Sequence, residues 1–296
     1  MQYIGEIFAL MTAVMWSVTS IVFTEASVRV GSSVVNITRL VLAAVYLSVT
    51  ILIFGFPFNV NETQIVFLSA SGIIGLVVGD GFLFKSFQYV GARISMLMMS
   101  LVPPVSALLA FFLLGESIAI VGIAGIFVTI MGVAIVILQK GVDKNFSPHN
   151  KVKGIIFAVF GAIGQAVGLI FAKLAFHEGE INGFVATFIR LIPATLILLV
   201  YLLSVNHFKN PFAKYKNNFT AFKFTLVGSF VGPFLGITFS LIAVAHAKVG
   251  IASTLMATAP VIMLPLVKIY YKQDLNFKSI GGAFLAVAGI AILFLK

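Results

Sequence analysis

Apolar runs of about 20 residues recur along the whole chain, and a short polar or proline-containing break separates each from the next. An α-helix needs roughly 20 apolar residues to cross about 30 Å of hydrocarbon. The 296 residues are 60% hydrophobic and only 9% charged, which leaves little sequence for a soluble domain. The runs predict ten membrane-spanning helices, at residues 3–24, 33–55, 64–86, 92–114, 119–139, 152–174, 182–204, 222–243, 249–270 and 278–295.

The fold class predicted from these runs is an all-α membrane protein that lies in a lipid bilayer. The other architecture that satisfies its backbone in lipid is the β-barrel, whose strands alternate apolar and polar residues, whereas these runs are continuous. The net charge of +10 is spread over short loops and forms no basic stripe with stacking aromatics, so nucleic acid is not an expected partner. The chain has no cysteine, which excludes thiolate metal sites, and neither a metal nor a cofactor is expected.

The sequence contains an internal repeat. The segment 72–103 aligns without a gap on the segment 229–260, with matching glycines and a proline at the end of each. Earlier in each half, Arg39 and Arg190 fall on equivalent positions of similar sequence. The match indicates a tandem duplication.

The duplication predicts the domain organisation. A first five-helix repeat occupies residues 1–140, a loop occupies 141–151, and a second five-helix repeat occupies 152–296. Because five is an odd number, the second repeat must enter the membrane upside down relative to the first. Inverted repeats of this kind are common in secondary transporters, where they supply two related conformations that face opposite sides.

The positive charge is distributed unevenly between the two sides of the predicted bundle. When each Lys and Arg is assigned to the nearer end of its span, 15 of the 19 fall on the side of the odd-numbered loops. The exceptions are Lys173, Arg190, Lys248 and Lys296. The positive-inside rule therefore predicts cytoplasmic odd loops and two external termini, in a multi-pass protein of the cell (plasma) membrane. Both a monomer and a homodimer remain open.

Four features of the first half occur in an order that is typical of one family. They are Gly79-Asp80, Gly91-Ala92, Pro103 and Leu114-Gly115-Glu116. In this order they resemble the drug/metabolite transporter superfamily, specifically its EamA-type members. The second half departs from the pattern, because Ile237 replaces the aspartate and Gln273 stands where the glutamate would be. The resemblance implies ten helices, a central cavity and a secondary carrier, often an exporter, of a small-molecule substrate.

Asp80 is the acid that lies deepest in a predicted span. It lies about 10 Å inside the end of the third helix at a rise of 1.5 Å per residue, where an unpaired charge costs several kcal/mol. Arg39 lies at similar depth on the second helix and is the expected ion-pair partner. The alternative is a functional acid, which couples transport to protons or holds a cationic group of the substrate.

Arg190 occupies the place of Arg39 in the second half, where the aspartate has become Ile237. It therefore lacks a symmetry-related anion. Either the loop acids Glu178 and Glu180 neutralise it, or it faces the cavity and binds a carboxylate or phosphate.

Trp16 and Gln165 form the next equivalent pair, each near the middle of the first helix of its half. A tryptophan at mid-depth either packs against other helices or lines a cavity. For Gln165 the alternatives are a hydrogen bond between helices and contact with substrate.

The fourth and ninth spans carry matching polar and methionine stripes ahead of prolines. Methionine makes an adaptable cavity lining, although core packing is the alternative for any one of these residues. The candidate cavity residues are Ser95, Met98, Met99, Ser253, Thr254 and Thr258. Pro103, Pro104 and Pro260 follow them and are the candidate hinges, because proline removes a helical hydrogen bond.

The leading functional prediction is a secondary active transporter of a small metabolite, such as an amino acid or a related compound, coupled to a gradient, most simply of protons. No ATP-binding motif is visible. An intramembrane enzyme would need clustered carboxylates or histidines, and no second acid lies within a turn or two of Asp80, so enzyme activity is not expected. The alternatives are such an enzyme, a flippase of a lipid-linked substrate, and a membrane scaffold without transport.

Overall fold

A computed structural model of the chain describes residues 3–115, 117–138, 148–204, 210–247, 249–272 and 276–294. All regular structure within these ranges is helical. Eight of the helices are long and apolar enough to cross a membrane, and two shorter apolar helices accompany them. The predicted all-α membrane class is therefore confirmed.

The helices of the first half begin close to the residues predicted from hydropathy. Their bounds are α1 Ile4–Val30, α2 Ser32–Phe54, α3 Glu62–Gly72, a first π-helical segment Ile73–Gly79, α4 Asp80–Met99, α5 Val102–Leu114 and α6 Ile120–Ile137. The helix α1 extends six residues beyond the predicted 3–24, and its last turn includes the ion pair Arg29–Glu25. Hydropathy marks only the part of a helix that lies in hydrocarbon, whereas the helix itself continues into its polar flanks.

The second half repeats this arrangement. Its bounds are α7 Pro148–His177, α8 Gly183–Ser204, α9 Pro211–Lys216, α10 Phe219–Ser229, a second π-helical segment Phe230–Gly236, α11 Ile237–His246, α12 Val249–Met256, α13 Ala259–Tyr271 and α14 Phe277–Phe294. The predicted loop 141–151 is shorter than expected, because α7 already begins at Pro148. The residues 139–147, Glu116, Lys248, Gln273 and Lys296 lie outside the described parts of the chain.

A short helix was not predicted from the sequence. The helix α9 lies in the Lys/Asn-rich connection that precedes α10, and it directs the buried side chain of Tyr215 toward the bundle. The hydroxyl of Tyr215 lies 3.1 Å from Oγ1 of Thr225. The buried ring of Tyr215 packs this six-residue helix against α10, and hydropathy averaged over longer windows carries no signal for it.

The backbone departs from helical geometry at one position within α4. Gly91 has φ 73° and ψ 176°, although helical hydrogen bonding resumes on both sides of it. Only glycine adopts such a backbone conformation without strain. The break falls between the predicted spans 64–86 and 92–114, and it divides the long apolar stretch Glu62–Met99.

Two π-helical segments occupy equivalent positions of the sequence repeat. Ile73–Gly79 and Phe230–Gly236 are each seven residues long, and each is followed directly by the position that holds Asp80 in one half and Ile237 in the other. A π-helix shifts the backbone hydrogen bonds from i→i−4 to i→i−5 and is frequent at functional sites. Hydropathy carries no signal for it, so the sequence did not predict these segments.

The first helix of each half packs against the third helical region of the other half. The helix α7 contacts α3, the first π-helical segment and α4, whereas α1 contacts α10, the second π-helical segment and α11. Glycines allow α7 to approach closely, since a Cβ atom on Gly164 would lie 2.7 Å from the Cα atom of Gly79, and one on Gly168 would lie 3.0 Å from that of Gly75. These two crossings enclose the centre of the molecule.

Candidate functional site

A cavity of about 200 Å³ lies at the centre of the bundle and is lined by side chains from both halves. Its wall is mainly apolar, and the charged or amide side chains in it are Arg39, Asp80, Gln165 and Arg190. Concave apolar sites with a few converging polar groups are the usual form of small-molecule sites. This cavity is therefore the candidate functional site.

Asp80 lies at the junction of the first π-helical segment and α4, and only 6% of its surface is exposed. Its Oδ2 accepts a hydrogen bond of 2.5 Å from Nη2 of Arg39, and its Oδ1 accepts a hydrogen bond from Nε2 of Gln165. Both carboxylate oxygens thus have a donor. The predicted contact between Asp80 and Arg39 is present in the structure.

A second set of contacts fixes the two partners of the carboxylate. Nε of Arg39 donates to Oδ1 of Asn36 at 2.9 Å, and the guanidinium lies over the ring of Phe84, 4.6 Å from its centroid. Nε2 of Gln165 also donates to the carbonyl oxygen of Gly75 at 3.1 Å. Because Gly75 belongs to the π-helical segment, that segment supplies both the position of Asp80 and an anchor for Gln165.

Arg190 projects from α8 into the same cavity but has a different environment. It is 7% exposed, and its Nε is without a hydrogen-bond partner among the described residues. Its Nη2 lies beside Gly75, 3.5 Å from where a Cβ atom of that residue would stand. Asp80 is close enough to act on it electrostatically, but the ion pairs within the described ranges are Arg39–Asp80 and Arg29–Glu25.

The two alternatives for Arg190 can now be compared with its position. Glu178 and Glu180 form no ion pair with it in the described part of the chain, and Arg190 is part of the cavity wall. The lining therefore contains two guanidinium groups and one carboxylate among the described residues. An excess of one positive charge faces the cavity.

Trp16 and Gln165 both line the cavity, at equivalent places in the two halves. Gln165 lies against Gly79, and Trp16 lies against the equivalent Gly236, with Nε1 at 3.1 Å from where a Cβ atom of that glycine would stand. Ile237 is also part of the wall. Gln165 thus donates a hydrogen bond to Asp80. The equivalent pair, Trp16 and Ile237, lines the cavity without a carboxylate.

The other candidate residues divide into two groups. Met99, Ser253, Pro103 and Pro260 line the cavity. Those outside its lining are Ser95, Met98, Thr254, Thr258 and Pro104.

The residues outside the lining have other places in the structure. Ser95 Oγ lies 2.6 Å from Oγ of Ser86, Met98 packs in an apolar cluster with Leu97, and Thr258 donates to the carbonyl of Leu255. Thr254 is half-buried, and Pro104 opens onto an apolar surface groove between α5 and α6. The candidate residues of the fourth and ninth spans lie on more than one face of their helices. The sequence alone does not say which of these faces meets the cavity.

The candidate hinge prolines stand at helix starts rather than inside helices. Turns at residues 100–101 and 257–258 interrupt the helical structure of the fourth and ninth predicted spans, and Pro103 and Pro260 lie in the first turn of α5 and α13. There the missing N–H would have no helical partner in any case. Their predicted role as hinges therefore concerns the turns that precede them.

Some lining residues were missed by the sequence reasoning. They are Phe23, Phe84 and Phe87, which form an aromatic wall, and the second-half residues Pro233 and Ser240. Asn36 was missed too, although its spacing of three residues from Arg39 places both on one helix face. Phenylalanines facing lipid and phenylalanines facing a cavity are alike in sequence, so no signal could have separated them.

The fold and the site define a membrane protein with a central, partly charged cavity between two related halves. The sequence pattern of the EamA-like transporter family matches the chain twice, over residues 3–138 and 152–295. The chain belongs to this family, whose members are membrane transporters of the drug/metabolite type. The predicted resemblance is confirmed.

Comparison with solved structures shows the fold alone. One structure, described as "Crystal structure of protein", aligns with 100% of this chain and 99% of its own, with a TM-score of 0.70 and 16% sequence identity. A search of curated proteins found no match.

Proposed function

We propose that the chain is a secondary active transporter that exports a small metabolite by alternating access to the central cavity. The observation that carries the proposal is the position of this cavity, which both halves line and which holds buried charges. Alternating access needs a central site and two halves that can exchange conformations. Membership of a transporter family supports the same function.

The proposal includes ten spans, arranged as two inverted five-helix repeats with the boundaries 1–140 and 152–296. Support comes from the break at Gly91, which divides the stretch Glu62–Met99 into the end of a third span and the start of a fourth that continues into α5. Further support comes from the two family matches and from the equivalent π-helical segments. With α14 as the last span, each half contains five.

The conformational change follows from the two crossings. The crossing of α7 with the first π-helical segment is close because glycines meet there, whereas α1 meets the second π-helical segment through larger side chains such as Trp16 and Phe23. Inverted halves that exchange these two packings would open the cavity first to one side and then to the other. The turns before Pro103 and Pro260 are the proposed hinges.

The proposed coupling group is Asp80, with protons as the coupling ion. Protonation would remove the charge that holds Arg39 and Gln165, which belong to α2 and α7 in different halves. One proton would thereby weaken a contact that ties the two halves together. The alternative, a purely structural pair, retains the contact throughout the cycle.

Proteoliposomes test the proposal. With purified protein and an imposed pH gradient, we expect accumulation of substrate that collapses when a protonophore is added. Conversion of a substrate without its movement would identify an enzyme, and movement of a lipid-linked compound between leaflets without any aqueous solute flux would identify a flippase. Equal flux in empty and protein-containing vesicles across a broad metabolite panel would favour a scaffold and contradict the proposal.

A further inference from the structure

We infer that the substrate is an organic anion with one negative charge and an apolar body, and that Arg190 binds its anionic group. The inference rests on the proposed function, since it concerns the solute that the cavity carries. It distinguishes this solute from a zwitterion or a cation of similar size.

The charge balance of the cavity is the first step. Asp80 is already matched by Arg39, so the guanidinium of Arg190 is the excess positive group. Burying an arginine without a hydrogen-bonded anion is unfavourable, and its Nε is without a partner among the described residues. A carboxylate in the cavity would supply both the charge and the acceptor, with the planar geometry that a guanidinium prefers.

The second step is the position of the acceptors. The one carboxylate in the described lining, that of Asp80, already accepts from Arg39 at Oδ2 and from Gln165 at Oδ1, so an ammonium group would meet a negative charge that Arg39 already neutralises. It would also approach two guanidinium groups, each of which repels it. The cavity therefore disfavours a cation. A zwitterion would gain binding free energy where its carboxylate meets Arg190 and lose it where its ammonium group meets the positive charges.

The third step is the shape and polarity of the wall. The largest apolar side chains in the lining include Trp16, Phe23, Phe84, Phe87 and Met99. These side chains offer an apolar surface to the part of the solute that points away from Arg190, and burying that part is favourable in proportion to its area. A small anion without an apolar body would leave this surface uncovered.

Trp16 provides the measurement. It is the one tryptophan of the 296 residues, and it lines the cavity, so its fluorescence reports on occupation of the site in purified protein without any need for flux. The probes are phenylpropanoate, phenylalanine, phenylethylamine and phenylpropanol, which share a body and differ in charge. Acetate has the charge without the body. We expect phenylpropanoate to bind at least about tenfold more tightly than each of the others.

Variants assign this preference to Arg190. Arg190→Gln should weaken phenylpropanoate at least about tenfold and leave phenylpropanol unchanged, whereas Arg190→Lys should retain part of the preference because it keeps the charge. The control Arg29→Gln removes a partly exposed arginine far from the cavity lining and should change neither. Trp16→Phe should abolish the signal.

Several results would overturn the inference. They are tighter or equal binding of phenylalanine or phenylethylamine, no saturable response to phenylpropanoate, and unchanged anion binding in Arg190→Gln. If Arg190→Gln does not fold, the inference is tested by the affinities of the wild-type protein for the four phenyl probes and by the binding of phenylpropanoate to Arg190→Lys. Anion binding without flux in proteoliposomes would contradict the transport proposal alone, whereas flux of a zwitterion or cation without anion binding would contradict this inference alone.

Discussion

At the scale of single residues, one buried carboxylate connects three elements. Asp80 of α4 receives hydrogen bonds from Arg39 of α2 and Gln165 of α7, and all three side chains face the cavity. A buried ion pair gains little over an apolar contact of the same shape, but removing one partner leaves an uncompensated charge. The pair is therefore sensitive to the loss of either member and much less sensitive to the loss of both.

Asp80→Asn tests this sensitivity and the proposed coupling together. The variant leaves Arg39 without its anion, so we expect a loss of stability of roughly 3–5 kcal/mol in detergent and no gradient-driven flux. Thermal unfolding of purified protein gives the first quantity, and proteoliposome uptake gives the second.

The double variant Arg39→Gln/Asp80→Asn separates the two effects. It removes both charges, so most of the stability should return while flux stays absent. Arg29→Gln is the matched control, because its ion pair is partly exposed and is worth about 1 kcal/mol or less. Recovery of flux in the double variant would show that Asp80 is a structural partner and not the coupling group.

Much of this cluster was predictable because charges are rare in an apolar sequence. Asp80, Arg39, Arg190 and Gln165 stand out against their neighbours, and the similar depth of Asp80 and Arg39 in the predicted spans indicated their contact. The hydrogen bond from Gln165 to Asp80 was not predicted. The aromatic wall around them was not predictable, since its residue type is also the one that faces lipid. The internal repeat located Trp16, which no local pattern would have singled out.

At the scale of elements, the π-helical segments position the cavity cluster. The carbonyl oxygens of Gly75 and Leu76 in the first segment accept from the side chains of Gln165 and Asn36, at 3.1 and 3.5 Å. The carbonyl of Gly75 also accepts the backbone N–H of Asp80, five residues further on. One carbonyl oxygen of the π-helical segment thus bonds both the backbone of Asp80 and the side chain of Gln165.

Close packing of the end of α3, directly before the first π-helical segment, against α8 gives a prediction at this scale. A Cβ atom on Gly72 would overlap the backbone carbonyl of Arg190, whereas one on Gly81 meets nothing within 4 Å. We expect Gly72→Ala to destabilise the protein by about 1–3 kcal/mol or more and to weaken anion binding by displacing Arg190. Thermal unfolding and Trp16 fluorescence measure the two effects.

Gly81→Ala is the matched control for this change. It lies nine residues away in the same helical stretch and adds the same methyl group to open space, so helix propensity should make it neutral or more stable by up to about 1 kcal/mol. Equal stability of the two variants would show that α8 does not approach the chain at Gly72 as described. The sequence does not distinguish Gly72 from Gly81, because the backbone that approaches only one of them is seen in the structure.

At the scale of the whole molecule, the distribution of lysines predicts the orientation. The natural chain has no cysteine, so a single introduced cysteine reports on one side of the membrane without background. Asn59 lies in an even-numbered loop and Asn217 in an odd-numbered one, and both are exposed. In intact cells, an impermeant maleimide should label Asn59→Cys at once and Asn217→Cys only after permeabilisation. The reverse pattern would place both termini in the cytoplasm.

The all-helical membrane fold was predictable in outline because hydropathy and an internal repeat act over the whole chain. Where each helix ends was less predictable, since α1 and α7 continue past the apolar residues that define their spans. The direction in which the cavity opens depends on the relative stability of two packings of the same halves. That difference is a property of the assembled bundle and is encoded in no single segment.

The most direct test of alternating access uses one cysteine inside the cavity. Ser240→Cys places a thiol in the cavity wall with little change in volume, and a small anionic thiosulfonate reagent matches the excess positive charge there. Alternating access predicts that the reagent modifies this cysteine in right-side-out vesicles and in inside-out vesicles, whereas Asn59→Cys and Asn217→Cys each react from one side only. Modification of Ser240→Cys from one side alone, with and without substrate, would contradict it.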